Sequence, residues 1–93
     1  MKNAIIHELT INNKSGLHAR PATLWVQTAS RYQSKIRLKK AEREVDGKSL
    51  LGILSLGLSS GSVVQLIVDG PDASAAADEL IKLIAELADK GEA

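Results

Sequence analysis

Ser49-Leu50-Leu51-Gly52-Ile53-Leu54-Ser55-Leu56-Gly57 is the stretch on which the fold turns. It is short and apolar, and its periodicity alone does not choose between helix and strand. Ser49 is a good helix N-cap and Gly57 a good helix stop, so it reads as a short helix. With a helix here, the elements on either side fall into one order.

Upstream, Ile5, His7, Leu9 and Ile11 share one face, and Ile6, Glu8 and Thr10 share the other. That alternation predicts a half-buried first strand, with His7 inward and structural. Asn12-Asn13-Lys14-Ser15-Gly16 reads as a loop. From Ala19 to about Ser30, Ala22, Trp25, Val26 and Ala29 recur at helical spacing, with Trp25 as packing. Pro21 falls in the first turn, where its missing N–H costs nothing. Ser34 to Lys40 alternates again and predicts a second strand. Ala41-Glu42-Arg43-Glu44 reads as a polar turn, and Val45 to Gly47 as a short third strand.

Downstream, Ser59-Ser60-Gly61 is a loop. Ser62 to Val68 is rich in β-branched residues and predicts a fourth strand. Asp69-Gly70-Pro71-Asp72 turns into a last helix from Ala73 to about Lys90. Ala76, Ala77, Leu80, Leu83, Ile84 and Leu87 share its apolar face. Glu79 and Glu86, with Lys82 and Lys90, suit i,i+3 and i,i+4 pairing on its solvent face. The order is βαββαβα. The expected class is α+β, a two-layer open-faced sandwich with three helices on one face of a four-stranded sheet.

Composition sets bounds on function. The chain has 93 residues, which suits a single domain over 1–93. A domain of this size has little room for a deep catalytic cavity. Hydrophobic residues make up 44%, aromatics only 2%, and there is no Phe, so the core must be aliphatic. The net charge of +1, spread in both signs, argues against a nucleic-acid module. With no Cys, a disulfide scaffold, a thiol nucleophile and a Cys metal site are excluded. No apolar run approaches the roughly 20 residues of a membrane span, and no signal segment is apparent. A cytoplasmic protein without cofactor or metal is expected.

The chemistry centres on Gly16-Leu17-His18-Ala19-Arg20-Pro21-Ala22. His18 stands one residue before a helix, whose first N–H groups lack partners and attract anions. Arg20 adds a charged fork suited to phosphate. A neutral imidazole carries a free nitrogen lone pair. Such a ring can attack phosphorus, and the same N–H groups and Arg20 then stabilise the attached phosphate. A histidine before a helix is usually only a cap or a surface residue, so position alone does not establish this role.

The seven-residue run resembles the HPr family, the histidine-containing phosphocarriers of the bacterial sugar phosphotransferase system. Val45-Asp46-Gly47-Lys48-Ser49 and the helix after it resemble that family's second signature at the expected distance. The resemblance spans nearly the whole chain. It implies an antiparallel sheet in the order 1-4-2-3. It also implies phosphorylation of His18 on its δ nitrogen, with Arg20 as partner. The implied donor is enzyme I, charged from phosphoenolpyruvate, and the implied acceptors are IIA domains of sugar permeases. Such a protein is a covalent carrier, not a turnover enzyme.

Ser49 as N-cap is ordinarily structural. The resemblance adds regulatory phosphorylation by HPr kinase/phosphorylase, found in many Gram-positive relatives, and contact with a transcriptional regulator. It also implies an exposed docking patch near Leu17, Leu50 and Leu51, with Lys48, Arg20 and Lys14 steering acidic partners. A carrier that shows one face to several partners is expected to be monomeric. Two other readings stay open. One is a paralogue serving a nitrogen-related or other specialised phosphotransfer chain. The other is a regulatory binding module, although relatives of that kind lack the histidine.

Overall fold

The computed structural model describes residues 4–89. Along the chain run β1 (Ile5–Thr10), α1 (Ala19–Ala29), β2 (Lys35–Lys40) and β3 (Arg43–Asp46). They are followed by α2 (Leu50–Ser55), β4 (Val63–Asp69) and α3 (Ala73–Asp89). The sheet order is β1-β4-β2-β3 and every pairing is antiparallel. This is the expected βαββαβα open-faced sandwich.

Register explains which face is covered. Leu9 pairs with Val64, Leu38 with Leu66, and Ile36 with Val68. In a strand, residues directly opposite share a face, and all six of these are buried. Ile6, Glu8, Arg37, Val63 and Gln65 lie on the other face and are exposed. From α1, the core receives Ala22, Trp25 and Ala29; from α3 it receives Ala73, Ala76, Ala77, Leu80, Ile84 and Leu87. Small alanines at these positions let the helices approach closely. Fully burying each Leu or Ile contributes about 1.5–3 kcal/mol.

Three details differ from the sequence reading. The third strand begins at Arg43, because the turn shrinks to Ala41-Glu42 between the paired residues Lys40 and Arg43. Ala41 makes this possible by taking a left-handed φ of 54°, which a residue with a Cβ rarely adopts. His7 has an inward register opposite Leu66, yet it is exposed, on a strand that forms the edge of the sheet. Glu79 does not pair along α3. Instead it accepts a hydrogen bond from the Tyr32 hydroxyl and forms an ion pair with Arg31 at 3.2 Å. Lys90, the expected end of the last helix, lies outside the described residues.

No helix among the described residues is long and apolar enough to cross a membrane.

Candidate functional site

The loop before α1 is pinned rather than free. Gly16 takes φ +72°, and its amide donates to the Asn13 carbonyl at 2.9 Å. The Asn13 side-chain amide donates back to the Gly16 carbonyl at 2.6 Å, and Asn13 is only 1% exposed. Leu17 N–H donates to the Leu58 carbonyl at 2.7 Å. Ile11 N–H bonds to Ser62 and Gly61 N–H to Ile11, which ties both flanks of the loop to the segment before β4. Sequence reasoning missed Asn13; its one signal is an Asn three residues before a turn Gly.

These bonds place His18 as the N-cap residue of α1, with extended backbone (φ −90°, ψ −165°) and no side-chain capping bond. The imidazole is therefore not used as a cap. It is half-buried, and its Nε2 is enclosed with no hydrogen-bond partner. The first intrahelical bond runs from Ala22 N–H to the His18 carbonyl at 2.9 Å. Ala19 and Arg20 N–H groups thus remain without an intrahelical partner, and Pro21 has none to offer. Pro21 thus takes one donor away from the unpaired N–H groups at the start of α1. The Arg20 side chain is exposed and makes no ion pair among the described residues.

A shallow trough lies beside the ring, lined by Ser15, Leu17, His18, Leu54, Gly57, Leu58 and Ser59. Its apolar wall comes partly from α2. Ser49 caps that helix as expected, its Oγ accepting from Gly52 N–H at 3.0 Å. Leu51 is 80% exposed and Leu54 36% exposed. Leu54 was not expected to be a docking residue, and its place in the trough is what brings it near His18.

Three expected docking residues need correction or refinement. Leu17 is 3% exposed and belongs to the core, because its backbone bond to Leu58 turns the side chain inward. Only a small part of it shows, at the floor of the trough. Leu50 is half-buried and packs against the core. Lys48 is half-buried, and its ammonium is already engaged by the Tyr32 carbonyl at 2.6 Å. Lys14 is exposed, as is Arg20. No cluster of metal-ligating side chains occurs among the described residues.

The chain matches the family model described as PTS HPr component phosphorylation site, over residues 5–86. It belongs to the HPr family. Its relatives include phosphocarrier proteins HPr, which are generally not turnover enzymes, and HPr-like Crh proteins. The HPr of Xylella fastidiosa (strain Temecula1) is 44% identical over 83% of this chain and 86% of its own. The crystal structure of HPr from Bacillus anthracis superposes with a TM-score of 0.83 at 34% identity. It covers 87% of this chain and 96% of that one. Crh of Bacillus subtilis, described as a catabolite repression protein and crystallised as a swapped dimer, superposes with a TM-score of 0.72 at 40% identity. That match covers 84% of this chain and 90% of Crh.

Proposed function

We propose that His18 accepts a phosphoryl group from phosphorylated enzyme I and passes it to IIA domains of sugar permeases in the cytoplasm. One observation carries the reading: His18 holds the N-cap position of α1 without capping it, beside two N–H groups that the helix leaves unpaired. Nε2 is enclosed and without a partner, so this reading assigns the phosphoryl group to Nδ1.

The step balances simply. The Nδ1 lone pair forms a bond to phosphorus while the bond from phosphorus to the donor breaks, and the donor keeps that electron pair. Ala19 N–H, Arg20 N–H and the Arg20 guanidinium offset the phosphate charge. Transfer to the acceptor repeats the exchange in the other direction. Leu51 and Leu54 form the docking surface, and the carrier works as a monomer.

Incubation with enzyme I and phosphoenolpyruvate tests this reading. The wild type is to gain one acid-labile phosphate and His18→Ala none; labelling of the Ala variant would refute the assignment. Ser49 is proposed as a regulatory site, for which ATP and an HPr kinase are to give an acid-stable phosphate lost in Ser49→Ala. The likeness to Crh favours, as a second reading, a module that binds a transcriptional regulator. A wild-type chain that never takes up phosphate on His18 would promote that second reading. Light scattering reads the oligomeric state directly.

A further inference from the structure

The residues leading into α2 are held from two sides. Gly47 N–H donates to the Ile36 carbonyl of β2 at 2.6 Å. The Gly47 carbonyl accepts from the indole Nε1 of Trp25, on α1, at 3.0 Å. Next along the chain, Lys48 reaches back to the Tyr32 carbonyl, just past the end of α1. The chain before Ser49 is therefore strapped to α1 by one buried and one half-buried hydrogen bond.

α2 needs such straps. It has six residues, about half the length at which an isolated helix becomes even marginal in water. Its pose comes from what grips its ends. At the far end, Lys40 donates to the Leu56 and Gly57 carbonyls at 3.4 and 3.1 Å, and Arg43 to the Ser55 carbonyl at 2.6 Å. At the near end the grip comes from α1, the helix that begins at His18. Trp25 lies about two turns along α1 from His18.

We propose that Trp25 and Lys48 are positioning residues, which set α2 against α1 so that Leu51 and His18 meet one partner together. This rests on the phosphocarrier reading above. A shift of α2 changes the spacing between the docking leucine and the histidine and moves the Leu54 wall of the trough, while the main chain of α1 around His18 keeps its own hydrogen bonds. The signature is weaker docking with unimpaired transfer. Trp25 is 0% exposed and cannot touch a partner, so any effect on docking is indirect, and its hydrogen bond to Gly47 is the direct link toward α2. Phenylalanine at 25 keeps most of the buried surface and leaves the Gly47 carbonyl unpaired.

Initial rates of phosphorylation by enzyme I and phosphoenolpyruvate, followed against concentration of the full chain, test the proposal. Trp25→Phe is to raise KM about fivefold or more with kcat within about twofold. Hydrogen exchange at the α2 amides is to quicken in the same variant. Lys48→Met is to raise KM as well, equally at low and high salt, since a held ammonium does not steer. A folded Trp25→Phe protein with wild-type KM and wild-type α2 protection overturns the proposal. A Lys48→Met effect that vanishes at high salt makes Lys48 a steering charge and overturns its part. Should Trp25→Phe not fold, Lys48→Met decides. If the wild type takes up no phosphate at all, the carrier reading fails instead, while α2 exchange still judges the strap.

Discussion

A Cβ placed on Gly16 would lie 2.4 Å from the carbonyl oxygen of Leu58. The approach exists because Leu17 N–H bonds that same oxygen. Gly16→Ala therefore meets both a steric conflict with main chain and the cost of φ +72°. Gly57, at φ +61°, has nothing within 4 Å of its hypothetical Cβ. The expected loss for Gly57→Ala is about 1 kcal/mol, from backbone conformation alone. Gly16→Ala is expected to lose clearly more, and chemical denaturation of the pair separates strain from clash. Phosphate uptake at His18 is also expected to fall in Gly16→Ala, because the loop that presents the ring must move.

Leu17 and Leu51 were both expected at the docking surface, and the structure separates them. Leu17→Ala is expected to cost about 3 kcal/mol, as for a buried leucine that leaves a cavity. Leu51→Ala is expected to stay within about 0.5 kcal/mol of wild type, yet to weaken transfer from enzyme I. Thermal denaturation and transfer rates, measured on both variants, check the division.

Ser49 has a structural duty apart from any modification. Ser49→Ala removes the acceptor for Gly52 N–H, at an expected cost of about 1 kcal/mol. Ser49→Asp keeps an N-cap oxygen and is expected to retain most of the stability. If its added charge slows transfer from enzyme I while Ser49→Ala does not, the effect belongs to charge. Comparing denaturation midpoints with transfer rates for the two variants distinguishes these contributions.

Asp72 links the turn before α3 to the start of β2. Its carboxylate accepts from Ser34 Oγ at 2.6 Å and from the Ser34 and Gln33 amides at 2.9 Å each. The Ser34 hydroxyl first, then the Gln33 amide, holds this carboxyl below the usual aspartate range. The folded state thus favours the charged form. The stability it contributes is complete above the ordinary aspartate value and fades as pH drops from there through the lower folded value. Asp72→Asn is expected to be less stable at neutral pH and to lose less stability than wild type on acidification below about pH 4. Urea midpoints across that range give the answer.

Much of this was legible in the residues. Alternation marked β1 and β2, β-branched residues marked β4, the Ser49 and Gly57 signals bounded α2, and the 16–22 run pointed to His18. The misses have physical causes. Ala41 gave no warning of the turn, since only tertiary constraint puts an alanine at φ +54°. The inward period of β1 correctly marked the side to which His7 belongs, but periodicity does not say which strand forms the edge of the sheet. Leu17 follows a loop glycine in an aperiodic stretch, so its burial depends on the distant Leu58. Lys48 reads as a surface cation until Tyr32 is seen beside it.

The strap between Trp25 and Gly47 has a practical side. The chain contains one tryptophan, and that indole lies fully buried where α1 meets the approach to α2. All tryptophan fluorescence therefore originates at a single junction. Its emission is a label-free gauge of that joint, moving to the red when the indole becomes wet. Unfolding, which must wet this indole, can be followed with no dye attached to the surface.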